Sequence, residues 1–413
     1  MDILVDDLNG SLWVAASKKS RSGVNKIHGL EIDPYEEEIR SGSVYWAQVI
    51  KIDKALDAAF LQLDDYNTGI LHNKDFYILD KNGEYKKDNN IAIGKSLKAG
   101  DFIAVQAKSG YLPKVDSVDL TMEDKSARVS MNITLPGRYV IYAPLMNGNR
   151  ISKRIKDKKQ RKQLNKMLDS VEMIQGCILR AAAMNTQTEV LMREADILKH
   201  IWEELQDYLG GDAPFLVMDG PDAIKRTLSD QAHSQVERIE VSTMDHFKEV
   251  EEWCEIYAPD LVTKIHPADL PQADADLALF DYYDLLNQID DLFDPYILMN
   301  GGGNIIIQQT AALAAIDINR GSDTRSNLTI NLEALDEIGR QIRLRNLGGI
   351  IIIDFLKMNK KAEHDKLMAA FDDVISQDPC TVQLHGFTSL GLAELTRQRR
   401  TPPLQDRLDL VLD

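Results

Sequence analysis

The chain has 413 residues, too many for one compact core, so roughly two to four domains are expected. A hydrophobic share of 44% and a charged share of 27% are ordinary for globular protein. No apolar run reaches the roughly 18 residues of a membrane span. The net charge of −17 argues against indiscriminate nucleic-acid binding but permits a local groove, because affinity for phosphates comes from nearby Lys and Arg. Met1-Asp-Ile-Leu-Val-Asp-Asp lacks the basic and apolar regions of a signal peptide, so a cytoplasmic protein with no membrane span is expected. Cys177, Cys254 and Cys380 form no CxxC pair, so neither a disulfide framework nor a zinc site is expected.

In chain order, Asp2-Ile-Leu-Val and Ser11-Leu-Trp-Val-Ala-Ala predict two strands joined by a turn at Asn9-Gly10. Strand-like stretches continue from Val44, Ala58 and Phe102, divided by Gly, Asn and Asp, and suggest a small barrel. A polar excursion at 111–125 interrupts them, and further strands are expected at Ala127 and Arg138. Residues 150–210 read as helical and begin with a basic stretch from Arg150 to Lys162; a second basic cluster, Arg397-Gln-Arg-Arg, lies near the end. Phe215-Leu-Val-Met, a helix from Pro221 to Gln235, the strand from Val236 and a helix from Met244 to Tyr257 predict an α/β unit. A hairpin (303–318), a helix (328–344), a strand buried on both faces (349–355) and a helix (360–378) complete the pattern.

Two apolar strands in this last third carry aspartates at their ends: Ala311-Ala-Leu-Ala-Ala-Ile-Asp317-Ile-Asn319 and Gly349-Ile-Ile-Ile-Ile-Asp354. Carboxylates at neighbouring strand ends would form a hard-oxygen site suited to Mg²⁺, able to polarise a phosphodiester and activate water. Asn319, two residues after Asp317, falls on the same face. The competing reading is that each aspartate caps the following turn or helix. Arg340, Arg343 and Arg345 lie between the two aspartates as candidate phosphate contacts, or as surface arginines paired with Glu333 or Glu337.

Several long stretches carry a resemblance. Gly302-Gly-Asn-Ile-Ile-Ile-Gln-Gln-Thr-Ala-Ala-Leu-Ala-Ala-Ile-Asp317-Ile-Asn319, the run from Asn331 through Asp354-Phe, and His385-Gly-Phe-Thr-Ser-Leu-Gly-Leu-Ala-Glu-Leu-Thr-Arg-Gln-Arg resemble the ribonuclease E/G family. The resemblance implies an α/β multidomain (α+β) chain. Its parts would be a split ribonuclease-H-like fold (1–40 and 225–290), an inserted OB-fold RNA-binding β-barrel (41–127), a 5′-end sensor-like domain (128–224) and a DNase I-like catalytic domain (291–400), followed by a tail (401–413). It implies a Mg²⁺-dependent endoribonuclease, with Mn²⁺ as a possible substitute, that hydrolyses single-stranded RNA in processing or decay. Asp317 and Asp354 would be the metal ligands and Asn319 their associated catalytic residue. Phe60 matches the barrel aromatic that stacks on a base, although the residues alone favour a plain core aromatic on a strand; Lys108, Arg343 and Arg345 are the further RNA-binding candidates.

Departures from the family pattern are specific. The second barrel aromatic is Ile70, after Gly69. The glycine expected after Lys125 is Ser126. The sensor's Arg-Thr pair falls on Arg180 and Ala181, so weakened preference for a 5′-monophosphate is expected. No CPxC zinc-link precedes Asp413, so a zinc-linked dimer is not expected and the oligomeric state stays open. The 110–123 insertion is a candidate surface for RNA or for a second copy. Readings from other classes are a non-catalytic RNA-binding scaffold, and a metal-dependent phosphohydrolase acting on another polyanion.

Overall fold

A computed structural model describes residues 1–20, 23–33, 39–79, 85–88, 90–108, 126–153, 155, 158–168, 171–231, 234–270, 278–310 and 312–412. The 110–123 insertion therefore lies outside the described residues. The chain divides into two compact units, one of residues 1–35, 234–254 and 260–413, the other of 36–233 and 255–259.

The first unit holds two sheets. One begins with the expected hairpin: Asp2–Leu8 and Ser11–Lys19 pair antiparallel across Asn9 and Gly10, both at positive φ (50° and 74°). Asn-Gly suits this turn because both central residues must be left-handed. Asn25–Asp33 extends one side of the sheet, while Arg238–Val241 and Ile265–Pro267 join the other side in parallel.

The second sheet has six strands, in the order Tyr296–Leu298, Asn304–Gln309, Leu313–Asn319, Gly349–Asp354, Ala393–Gln398 and Thr381–Phe387. Two helices, Asn327–Leu344 and Lys361–Ser376, cover one face. The longer helix starts where the Ser326 side chain accepts from the Thr329 N–H, satisfying a helix-end donor. It buries the stripe Ile330, Ala334, Leu335, Ile338 and Ile342 against Ile316, Ile318, Ile351 and Ile353. The stretch after residue 400 carries a helix, Leu404–Leu412, with Leu404 and Leu408 in the core and Arg407 donating to the Ile32 carbonyl at 2.7 Å.

The second unit holds a closed five-stranded barrel, an OB-fold-like architecture. Val44–Asp53, Ala58–Gln62, Thr68–His72, Ala127–Ser130 and Phe102–Ala107 pair in sequence, and the Val44 and Phe102 strands close the ring. Its core includes Tyr45, Val49, Leu61, Leu71 and Val105. A four-stranded sheet (Leu135–Pro136, Val140–Tyr142, Cys177–Leu179, Arg150–Ile151) packs against the helix Thr188–Tyr208. The α/β unit expected near 214–260 does not form as one piece. Phe215–Met218 pairs with the barrel at Tyr45 and Trp46, whereas Arg238–Val241 belongs to the first unit's sheet. Among the described residues no helix is long and apolar enough to cross a membrane.

Candidate metal and RNA site

The two aspartates stand on adjacent parallel strands, paired in register from Leu313–Ile350 to Asp317–Asp354. Period-two alternation turns Ala314, Ile316, Ile318, Ile351 and Ile353 toward the helices and leaves Asp317 and Asp354 exposed on the opposite face. The Asp354 strand is not buried on both faces as expected, since Ile350 is 48% exposed. Neighbouring strands run about 4.8 Å apart, so two carboxylates share one open patch, an arrangement whose repulsion a cation relieves.

Asn319 completes this patch. Its Nδ2 donates to Asp317 Oδ2 at 2.9 Å and lies 3.3 Å from Oδ1 of Asn304, its cross-strand partner. One Asp317 oxygen is thereby engaged and the side chain is held in place. Among the described residues no group of three or more His, Cys, Asp or Glu could hold a metal ion. A divalent cation here would rest on two carboxylates with room for water and phosphate oxygens, the donor set Mg²⁺ accepts.

The strand exits are fixed by residues that the sequence reading missed. Arg320 donates to the carbonyls of Asp323 and Arg325 at 2.8 Å, and also to Asn327. Arg325 bridges Asp323 and Glu333, each at 2.6 Å; its hydrogen bonds hold the Asp323 carboxyl below the usual range. Gly303 lies so close behind Asn319 that a Cβ would stand 2.7 Å from the Asn319 carbonyl. After Asp354, buried Asn331 clamps the chain by donating to the Leu356 carbonyl (2.8 Å) and accepting from its N–H (3.0 Å). Asn331 was detectable in principle: it is a polar residue on the apolar stripe of a helix, and buried polar groups need partners.

The arginines are not brought to this patch. Arg345 is buried, donates to Gln341 (2.7 Å) and to the Asp294 carbonyl (2.7 Å), and has its pKa pushed down by burial to about 10. Arg343 lines a small gap on the helix-covered face with Ile353, Phe371 and Asp378, and burial lowers its pKa. Arg340 is half-buried, pairs with Glu337 at 2.7 Å and donates to the Ile27 carbonyl. Each of these side chains is engaged on the helix side of the sheet and not at the carboxylate face. Arg397, in the second basic cluster, is likewise internal and pairs with Asp378 at 2.8 Å.

In the second unit Phe60 is 3% exposed, packed with Ala58 and with its cross-strand partner Ile70. Its ring is therefore enclosed by these neighbours. Lys108 is partly exposed and pairs with Asp75 at 2.8 Å. Arg180 donates to the Gly137 carbonyl at 2.7 Å and lies 3.5 Å from the carboxylate of Asp230.

Comparison with known proteins agrees with the sequence resemblance. A family model described as the Ribonuclease E/G family matches residues 134–400. Ribonuclease G of Salmonella typhimurium (strain SL1344) is 30% identical over 371 residues, covering 87% of this chain and 72% of that protein. Ribonuclease G of Escherichia coli (strain K12) is 29% identical over the same shares. Ribonuclease E of Haemophilus influenzae (strain ATCC 51907 / DSM 11121 / KW20 / Rd) is 28% identical, covering 92% of this chain and 40% of that protein. With more than half of its length matched by the family model, this chain belongs to the ribonuclease E/G family.

Proposed function

We propose that the protein is a cytoplasmic, Mg²⁺-dependent endoribonuclease that cleaves single-stranded RNA in processing or decay. The observation that carries this reading is the in-register pair Asp317–Asp354 on an open sheet face, with Asn319 bonded to Asp317. Asp317 and Asp354 would hold the cation, which when bound polarises a phosphodiester oxygen and lowers the pKa of a water. Asn319 fixes the orientation of Asp317, and Asn304 in turn holds Asn319. In hydrolysis the water oxygen joins phosphorus, the P–O3′ bond breaks, and the products carry a 3′-hydroxyl and a 5′-phosphate. We assign this chemistry to a DNase I-like domain (291–400), RNA capture to the OB-fold (41–127) with Lys108, and a supporting role to a split ribonuclease-H-like fold (1–40 and 225–290).

We read the 128–224 region as a weakened 5′-monophosphate sensor. Ala181 supplies no hydroxyl, and Arg180 is already engaged by the Gly137 carbonyl and by Asp230. A guanidinium paired in this way has less to offer a terminal phosphate, because the ion pair must first be broken.

The test is cleavage of a fluorescent single-stranded RNA with Mg²⁺ by wild type, Asp317→Asn and Asp354→Asn. We expect robust wild-type cleavage and a loss of at least about 100-fold in kcat in both variants. An inert wild type, or normal cleavage by both variants, would sink the reading.

A further inference from the structure

The open face that carries the two aspartates also carries side chains that a solvent-facing sheet would not normally display. Tyr296 and Leu298 are 60% and 87% exposed, while Ile297 between them packs into the core. A strand with one wet face is expected to alternate apolar and polar, yet Tyr-Ile-Leu is apolar throughout. Register places these residues beside the carboxylates. Tyr296 pairs with Ile306, Ile306 with Asp317, and Asp317 with Asp354, forming one row across four strands. In the next row Leu298 pairs with Asn304, and Asn304 with Asn319. At about 4.8 Å per strand, the Tyr296 Cα lies roughly 10 Å from that of Asp317. Among the described residues the Tyr296 ring makes no hydrogen bond or ring contact.

We propose that Tyr296, flanked by Leu298 and Ile306, is a base-stacking subsite for a nucleotide adjoining the phosphate held at Asp317 and Asp354. The inference rests on the nuclease reading above. The occupant follows from continuity: a ligand that lays a phosphodiester on the carboxylates and a flat apolar group one or two nucleotides along is single-stranded nucleic acid. An aromatic ring serves this purpose whatever the base, since every base has a stacking face. Tyr296 is thus a positioning residue that supplies, on the catalytic sheet, an exposed ring that the buried Phe60 does not.

The test measures binding of fluorescein-labelled single-stranded RNA to the full chain in EDTA, by anisotropy, for wild type and for Tyr296→Ala, Tyr296→Leu and Tyr296→Phe. The Ala variant should bind about ten-fold more weakly, the Leu variant should fall between, and the Phe variant should match wild type. With Mg²⁺ the Ala variant should raise KM and leave kcat within about two-fold. Substrates with one abasic nucleotide, stepped along the cleavage region, should reveal one position whose loss weakens wild type but not Tyr296→Ala. Equal affinity of Tyr296→Ala and wild type overturns the subsite, as does a penalty independent of the abasic position. A Tyr296→Ala variant that binds RNA normally but shifts in sedimentation overturns it in favour of a contact between copies. Normal cleavage by Asp317→Asn and Asp354→Asn would instead sink the nuclease assignment, separating the two failures.

Discussion

Asn319 differs from the aspartates in what its loss should do. Its amide engages one oxygen of Asp317 and itself lies against Asn304, so it governs the aim of a carboxylate. Removing a group that orients a metal ligand typically lowers metal affinity or activity by about 10- to 100-fold. Asn319→Ala should therefore raise the Mg²⁺ concentration needed for half-maximal cleavage by about that factor, leaving RNA affinity in EDTA unchanged. An unaltered Mg²⁺ titration would show that Asp317 needs no such support. Asp230 calls for the opposite experiment, a gain of response. With Arg180 released from its carboxylate, Asp230→Asn should cleave 5′-monophosphorylated RNA several-fold faster than the 5′-hydroxyl form, whereas wild type should treat the two nearly alike. Equal rates in the variant would place the lost preference with Ala181 or Ser126 rather than with the ion pair.

At the scale of elements, the helix Asn327–Leu344 supports the Asp354 strand through one buried amide. Asn331→Ala leaves the N–H and carbonyl of Leu356 without this partner, a loss of about 1–3 kcal/mol for buried polar groups. Urea denaturation should show a loss of that size, and kcat should fall further than KM rises, because the clamp lies two residues beyond Asp354. A stability loss with unchanged kcat would confine Asn331 to folding. Sequence pattern made this region partly legible, and the reason is physical. Alternation in Leu313–Asn319 and the isoleucine run before Asp354 are local signals, and they placed both carboxylates on strands. Whether Arg343 and Arg345 face solvent depends on the helix's roll over the sheet and on the distant Asp294 carbonyl, which no local pattern encodes. Phe215–Met218 was recognisable as a strand, but its partner at Tyr45 and Trp46 lies about 170 positions away in sequence, beyond any periodicity argument. Phe60 differs: the residues alone favour a plain core aromatic on a strand, and its packing against Ile70 fits that reading, whereas only the family resemblance points to an open stacking ring.

At the scale of the molecule, the first unit gathers three separate stretches of chain, and two titrating groups sit where the first and last of them meet within it. His28, on the N-terminal sheet, is held neutral. Burial lowers its pKa from 6.5 to about 4, and Lys18, Arg340, Lys26 and Arg343 add to the effect. Glu337, on the helix of the C-terminal stretch, is held ionised. Burial alone would raise its pKa, but the hydrogen bonds and charge of Arg340, with Gln341 and Lys26, bring it from 4.5 down to about 2. Both groups take up protons more readily when unfolded, so both make stability fall with acid. The His28 contribution is full above about pH 6.5 and drains between 6.5 and 4; that of Glu337 is full above about 4.5 and drains between 4.5 and 2. Urea midpoints measured from pH 7.5 downward should therefore begin to drop before any carboxylate of ordinary pKa titrates. The early fall should disappear in His28→Asn, and Glu337→Gln should flatten only the lower limb. Hydrogen exchange read by peptide should place the early loss in residues 1–35 and 327–344, which share these groups, and not in the barrel strands. A midpoint that stays level from pH 7 to 5, or early exchange confined to the barrel, would contradict the assignment of acid sensitivity to this seam.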